Sequence, residues 1–246
     1  MSKWITPDWP APDNIQAICT TVASGNLARH AGNQKYVLAD RLNLRYDFQL
    51  PCEPAWLNQT HSDKVVHIQK PIQGAESVIA NCDASYTTLP GQACVVLTAD
   101  CLPLLLCDKA GKQVAAIHAG WKGLANGIIA KTLSYFTEPE AVLVWLGPAI
   151  GPEAFEVGQE VVDIFLALDK ENKQAIQKIN AQANAQNNKY CMNLYQLAKI
   201  QLSKLNVFDY YGGEYCTYTQ SDLFYSYRRE QGNSGRMASM IWKNVK

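Results

Sequence analysis

Four short apolar runs constrain this chain most: Ala93–Leu97, Leu104–Cys107, Val114–His118 and Val142–Leu146. Each is bounded by polar residues, glycine or proline, and none is long enough for an ordinary helix. Runs of this kind read as buried strands. Ile15–Val22 reads as an earlier strand, and Trp56–Gln59 and Val65–Gln69 as short strands flanking a turn at Ser62-Asp63. Lys109-Ala110-Gly111-Lys112 predicts a hairpin turn. Phe224–Tyr227 and Met237–Trp242 predict two strands around a turn at Gln231–Gly235.

Helical spacing runs over Tyr36–Leu44, Leu124–Phe136, Val161–Leu168 and Leu194–Leu205. Residues 1–14 read as an extended lead-in. Residues 169–189, rich in Asn, Gln, Lys and Ala, read as a solvated helix or a mobile insert. Strands and helices mix without strict alternation, which favours an α+β or layered α/β fold. No composition break divides residues 1–246, so a single domain is expected.

The charges exclude several classes of function. Lys and Arg number 22, as do Asp and Glu, so neither a nucleic acid nor an anionic membrane is an expected partner. No apolar run approaches the ~20 residues of a membrane helix. The N-terminus has no basic segment followed by an apolar core. Eight cysteines without C-x-x-C spacing fit a reducing compartment, and a cytoplasmic protein is expected.

Only four histidines occur. His61 and His118 lie at strand-to-loop junctions, and Cys101 follows Thr98-Ala99-Asp100. A buried run that ends this way and restarts after Pro103 aims a side chain from the end of a sheet. Two imidazoles and a thiolate suit zinc, with a fourth coordination position left open. The spacing equally allows a core cysteine and two histidines bonded to backbone. Asp83 and Asp100 are candidate acids, or partners that orient a ligand. Arg228, Arg229 and Arg236 are clustered cations for an anion, or members of a solvated turn. His30 and His67 read as ordinary loop or surface residues. Gly147-x-x-x-Gly151 reads as a tight turn, because no Gly-Lys-Ser/Thr follows.

Several ordered segments carry a resemblance. They include Leu57-Asn58-Gln59-Thr60-His61, Leu97-Thr98-Ala99-Asp100-Cys101-Leu102-Pro103, Ile117-His118-Ala119-Gly120-Trp121-Lys122-Gly123 and Phe224-Tyr225-Ser226-Tyr227-Arg228-Arg229. From about residue 54 onward the chain resembles the YfiH family, also called the laccase-domain, multicopper polyphenol oxidase or peptidoglycan editing factor family. The resemblance implies a layered α/β/β/α sandwich and a zinc site of His61, Cys101 and His118. It implies purine nucleoside phosphorylase activity on adenosine, inosine and methylthioadenosine, with adenosine deaminase activity. Bacterial members are also linked to editing of peptidoglycan precursors. Two departures stand out. Thr20-Thr21 is followed by Val22-Ala23-Ser24-Gly25, without the family's arginine and glycine turn, in a segment that reads as shortened. Lys122 stands where arginine is usual, keeping the charge but losing the bidentate fork.

Four functions follow. In nucleoside chemistry, Lys122, Arg228 and Arg229 would serve phosphate, Asp83 and Asp100 would serve substrate or protons, and Trp121, Phe155 and Tyr225 would stack on a purine. The usual zinc-deaminase signature is absent, so a deaminase here needs another general acid. A cysteine-type amide hydrolase would use Cys101 as nucleophile with His61 or His118 as base. A copper-dependent polyphenol oxidase is restricted to one His/His/Cys copper, since the chain lacks the histidines of a multicopper cluster. The fourth is binding without catalysis.

Overall fold

The computed structural model describes residues 2–74, 78–179 and 189–245. In chain order the strands are β1 (Trp4–Ile5), β2 (Ile15–Thr20), β3 (Val65–His67), β4 (Ala84–Thr87), β5 (Cys94–Thr98), β6 (Leu102–Asp108), β7 (Val114–Ala119), β8 (Val142–Leu146), β9 (Glu156–Gly158), β10 (Ile176–Lys178), β11 (Lys189–Met192), β12 (Tyr210–Gly212) and β13 (Met237–Lys243). The helices are α1 (Gln34–Asp47), α2 (Trp121–Ala125), α3 (Ile128–Leu133), α4 (Gln159–Leu168) and α5 (Leu194–Lys204). One sheet has the order β1-β2-β13-β5 and a larger one β12-β8-β6-β7-β4-β3, while β10-β11-β9 form a small third sheet.

Three buried layers hold these elements together. The faces of β2, β5 and β13 that carry Ile18, Val95, Leu97 and Met240 pack with α1 through Leu44, and with Trp56. Their other faces, carrying Ala17, Cys94, Val96 and Ile241, meet Leu105, Cys107, Ala116 and Trp145 of the larger sheet. The far side of that sheet, with Leu104, Leu106 and Ile117, packs with α3, α4 and α5 through Ile129, Phe165 and Leu197. The result is the layered α/β/β/α sandwich. The central strands are covered on both faces, which is why their sequences are apolar without alternation.

β5 and β6 are not one interrupted strand: β5 belongs to the smaller sheet and β6 to the larger. The chain changes sheet at Ala99-Asp100-Cys101, and Asp100 takes a positive φ of 92° there. Pro103 sits one residue into β6, near a strand start, where a missing N–H is tolerated. The turn expected after β6 forms, with Gly111 at φ 63°, and β6 pairs antiparallel with β7.

The structure corrects several elements. The helix expected over Leu124–Phe136 is two short helices, broken at Gly127 with φ 79°, a left-handed conformation that glycine adopts at no steric cost. Trp56–Gln59 makes only one isolated bridge, Asn58 to Asn81, beside another from the preceding Ala55 to Cys94. The Gln59 side chain replaces a ladder there: Nε2 donates to Leu97 O at 2.7 Å, and Leu97 N donates to Oε1 at 2.7 Å. Phe224–Tyr227 is not a strand, because its neighbourhood's backbone donors go to side chains: Ser226 N–H to Glu230 at 3.3 Å and Arg228 N–H to Asp100 at 2.7 Å. Within 169–189, residues Lys170–Ala175 form a 3₁₀ turn and Ile176–Lys178 a strand. Residues 180–188 of that expectation lie outside the described residues. None of the eight cysteines is disulfide-bonded. No helix among the described residues is long and apolar enough to cross a membrane.

Leu105 is fully buried between the sheets, whereas Leu42 on α1 is 52% exposed. Leu105→Ala is expected to cost about 2–5 kcal/mol in urea unfolding. Leu42→Ala should stay within about 0.5 kcal/mol of the parent.

Candidate functional site

The site grows from Asp83, which immediately precedes β4 and is fully buried. Its Oδ2 accepts from the Ser62 N–H and the Ser62 hydroxyl, both at 2.6 Å, and from the Thr60 N–H at 3.2 Å. Its Oδ1 accepts from the His61 N–H at 2.9 Å and from His118 Nδ1 at 2.8 Å. One carboxylate thus folds the 60–62 loop around itself and holds the ring of His118 from the adjacent strand β7. The loop carries His61 at φ 58°, a positive value for a non-glycine residue. The Nδ1 contact assigns the proton of neutral His118 to that nitrogen and leaves its Nε2 as a lone-pair donor.

Cys101 emerges from the sheet-switching corner to meet them. Its Sγ lies 3.7 Å from His61 Nε2, and the two imidazoles sit edge to face with centroids 4.8 Å apart. One donor atom from each of His61, Cys101 and His118 falls within 4.8 Å of the other two. Zinc–nitrogen and zinc–sulfur bonds of about 2.0–2.3 Å would bring neighbouring ligand atoms to roughly 3.5 Å. The Sγ to Nε2 spacing therefore suits one shared ion. Gly120 leaves room for the cluster: a Cβ there would stand 2.9 Å from Cys101 Sγ and 3.1 Å from His61 Cδ2.

Without a metal, electrostatics favour a Cys101 thiolate paired with a protonated His118, and an ion bound at His118 Nε2 would displace that proton. Burial alone would raise Cys101, but the His118 charge and hydrogen bonds from both imidazoles pull it down to about 6. Burial alone would lower His118, but the Cys101 thiolate and Asp83 carry it up to about 9. Burial also opposes ionisation of Asp83; hydrogen bonds from His118 and Ser62 outweigh it and keep the carboxyl well below the usual range.

The cluster opens into a cavity of about 580 Å³, within the usual size of a small-molecule site. Trp121, Phe155 and Tyr227 supply aromatic wall, and Lys122, Arg228 and Arg236 supply positive charge. Of the residues expected from sequence, His61, Cys101, His118, Lys122, Asp100 and Arg228 line this cavity. Asp83 and Arg229 do not. Asp83 stands behind the histidines. The Arg229 guanidinium is spent on the carbonyls of Thr217, Tyr218 and Phe224 and on the Glu230 carboxylate. Tyr225 is also off the wall.

Asp100 reaches the wall but its carboxylate is engaged, accepting from Thr217 Oγ1 at 2.6 Å, Ser226 Oγ at 3.1 Å and Arg228 N at 2.7 Å. Arg228 donates to the carbonyl of Glu156 at 3.0 Å and stands 5.8 Å from the Phe155 ring centre. Sequence reasoning passed over His30, which is on the wall, and named Arg236 as one of the clustered cations without giving it a role in the nucleoside site. Nothing local marks His30, since its position comes from contacts with the far end of the chain.

The chain belongs to the family described as multi-copper polyphenol oxidoreductase laccase, whose model matches residues 17–244. The match starts well before residue 54, where the resemblance of motifs begins. Among curated relatives, purine nucleoside phosphorylase YfiH of Escherichia coli strain K12 is 43% identical, with 98% of this chain and 99% of that one covered. A purine nucleoside phosphorylase of Haemophilus influenzae is 43% identical, covering 97% and 98%. Among solved structures, Neisseria meningitidis protein NMB0706 matches with a TM-score of 0.89 at 39% identity, over 99% of this chain and all of the other. Coverage is end to end in these pairs.

Two tests follow from the geometry. Gly120→Ala should leave the melting temperature within a few degrees but cut bound metal and turnover at least about tenfold, because its Cβ enters the donor cluster. Metal analysis and assay of the same preparation check this. Asp83 has a folded pKa below its unfolded value near 3.9. Its stabilising contribution is therefore full above about pH 5 and is lost as the pH falls through and below 4. The stability gap between metal-free parent and Asp83→Asn should narrow from pH 5 to pH 3 in urea titrations.

Proposed function

We propose that this chain is a zinc-dependent purine nucleoside phosphorylase acting on adenosine, inosine and methylthioadenosine, with adenosine deaminase activity. One catalytic domain would occupy residues 1–246, working in the cytoplasm without nucleic acid or membrane. The observation that carries this reading is a metal-fitting His/Cys/His cluster opening into a cavity walled by aromatic rings and cations. The names of the curated relatives support the choice of reaction.

His61, Cys101 and His118 would hold the ion through two imidazole nitrogens and a thiolate. Zinc, when bound, supplies Lewis acidity and a water acidified to near neutrality. Asp83 keeps His118 in the tautomer that presents Nε2. Trp121 and Phe155 offer faces for a purine. The cations hold phosphate against the sugar. In phosphorolysis a phosphate oxygen bonds to the anomeric carbon while the bond to the purine nitrogen breaks. That electron pair leaves with the base, which takes up a proton, and the products are free base and pentose 1-phosphate. In deamination, water adds at the amino-bearing carbon of adenosine and ammonia leaves.

The lowered Cys101 thiol beside His61 favours one second reading, a cysteine-type amide hydrolase without metal, editing peptidoglycan precursors. A copper centre of the multicopper type lacks histidines. His67 stacks on Tyr86 at 4.4 Å and does not line the cavity. A single copper on the same three donors is the remaining alternative to zinc.

Incubation with adenosine, with and without phosphate, separates the reactions by product. Adenine formed only with phosphate is expected, together with some inosine. Adenosine left intact in both would overturn the reading. Protein purified without chelator should contain about one zinc per chain, and Cys101→Ala should lose turnover at least about 100-fold with an unchanged circular dichroism spectrum. Full activity in metal-free protein would favour the hydrolase.

A further inference from the structure

The cations of the cavity are not equivalent. Arg229 is off the wall, and Arg228 is tied to the carbonyls of Ala154 and Glu156. Arg236 is different. Its Nη1 donates to the carbonyls of Ser234 at 2.5 Å and Gly235 at 2.9 Å. Its other guanidinium nitrogens have no hydrogen-bond partner among the described residues, and it lines the cavity.

A second basic group is fastened beside it. Asn26 Oδ1 accepts from the Arg236 N–H at 2.9 Å, and the Leu27 N–H donates to Arg236 O at 3.2 Å. The Asn26 amide also donates to the carbonyl of Ala31 at 2.9 Å. These bonds clamp residues 26–31 onto the start of β13 and set His30 on the same cavity wall. Behind them Arg41 is buried, its Nε donating to Leu27 O at 2.9 Å and its guanidinium lying 3.8 Å from the Trp56 ring centre.

Basic groups thus gather at one corner of the cavity. Burial, then the charges of Arg236 and Arg41, hold the His30 pKa below its ordinary value. Among the described residues, the one carboxylate on the cavity wall is that of Asp100, whose oxygens already accept from Thr217, Ser226 and Arg228. Among the described residues, neither His30 nor Arg236 forms an ion pair. A guanidinium with unused donors, beside an imidazole that offers a ring N–H, is suited to a tetrahedral oxyanion.

We infer that Arg236 and His30 form the phosphate subsite of the cavity, with inorganic phosphate as its ligand. This rests on the phosphorolysis reading and reassigns the phosphate contact from Arg228 and Arg229. Arg236 would donate through its unused nitrogens and His30 through a ring N–H, leaving the aromatic wall for the nucleoside. The N-terminal segment that departs from the family pattern would then contribute His30 to that subsite.

The experiment compares Arg236→Met and His30→Ala with the parent, measuring KM for phosphate and for inosine separately. The expected result is a rise of about tenfold or more in phosphate KM in each variant, with inosine KM changed less than about threefold. Arg236→Lys should recover part of the loss. His30→Ala alters an exposed loop residue, so it keeps the test open if Arg236→Met unfolds. Unchanged phosphate KM in a folded variant, with phosphate-dependent parent turnover, overturns the inference. Parent turnover that ignores phosphate defeats the phosphorolysis reading instead. Titration calorimetry with inorganic phosphate alone then decides the subsite: binding lost in the variants supports it, and equal or absent binding in all proteins overturns it.

Discussion

The Asp83 carboxylate is the interaction on which the site depends. It receives hydrogen bonds from Thr60, His61, Ser62 and His118, so a loop and a strand share one buried charge. Removing one side of such a network leaves buried groups unsatisfied, which costs about 3–5 kcal/mol when a charge is involved. The same bonds hold His61 at its positive φ and leave the outer nitrogen of His118 directed to the cluster. Placement of both imidazoles therefore follows from a residue that never touches the cavity.

A second buried carboxylate does the matching work on the opposite side. Asp100 adopts a left-handed conformation that costs about 1–3 kcal/mol for a residue with a side chain. Its bonds to Thr217, Ser226 and Arg228 offset that cost. The corner it makes carries the chain from one sheet to the other and delivers Cys101 between the histidines. The cluster thus stands at a junction of layers, where strand ends from both sheets expose side chains into a shared space.

The family description and the names of the relatives point to different chemistries, copper-dependent oxidation and nucleoside phosphorolysis. The donor set bears on the choice. Three ligands drawn from two imidazoles and one thiolate match a single ion with an open position. The cavity around them is rich in cations and aromatic faces, which suits an anion and a flat heterocycle better than an array of redox metals.

The strands of the sandwich could be read from apolar runs, because a segment covered on both faces has no polar face to write. Helices α1, α4 and α5 were legible in the same way, as was the turn after β6. His61, Cys101 and His118 stood out as polar residues placed where strands end. The chain by itself determined this much, since periodicity and burial are local properties of a segment. Only the tertiary structure decided that β5 and β6 part into different sheets, that Phe224–Tyr227 wraps Asp100 instead of pairing as a strand, and that Arg229 turns away while Arg236 and His30 face the cavity. Except for Arg229, whose partners Thr217, Tyr218, Phe224 and Glu230 are near in sequence, those outcomes depend on pairings between residues more than 100 positions apart, such as Asp100 with Ser226, Asn26 with Arg236 and β5 with β13, and no short window along the sequence contains both partners.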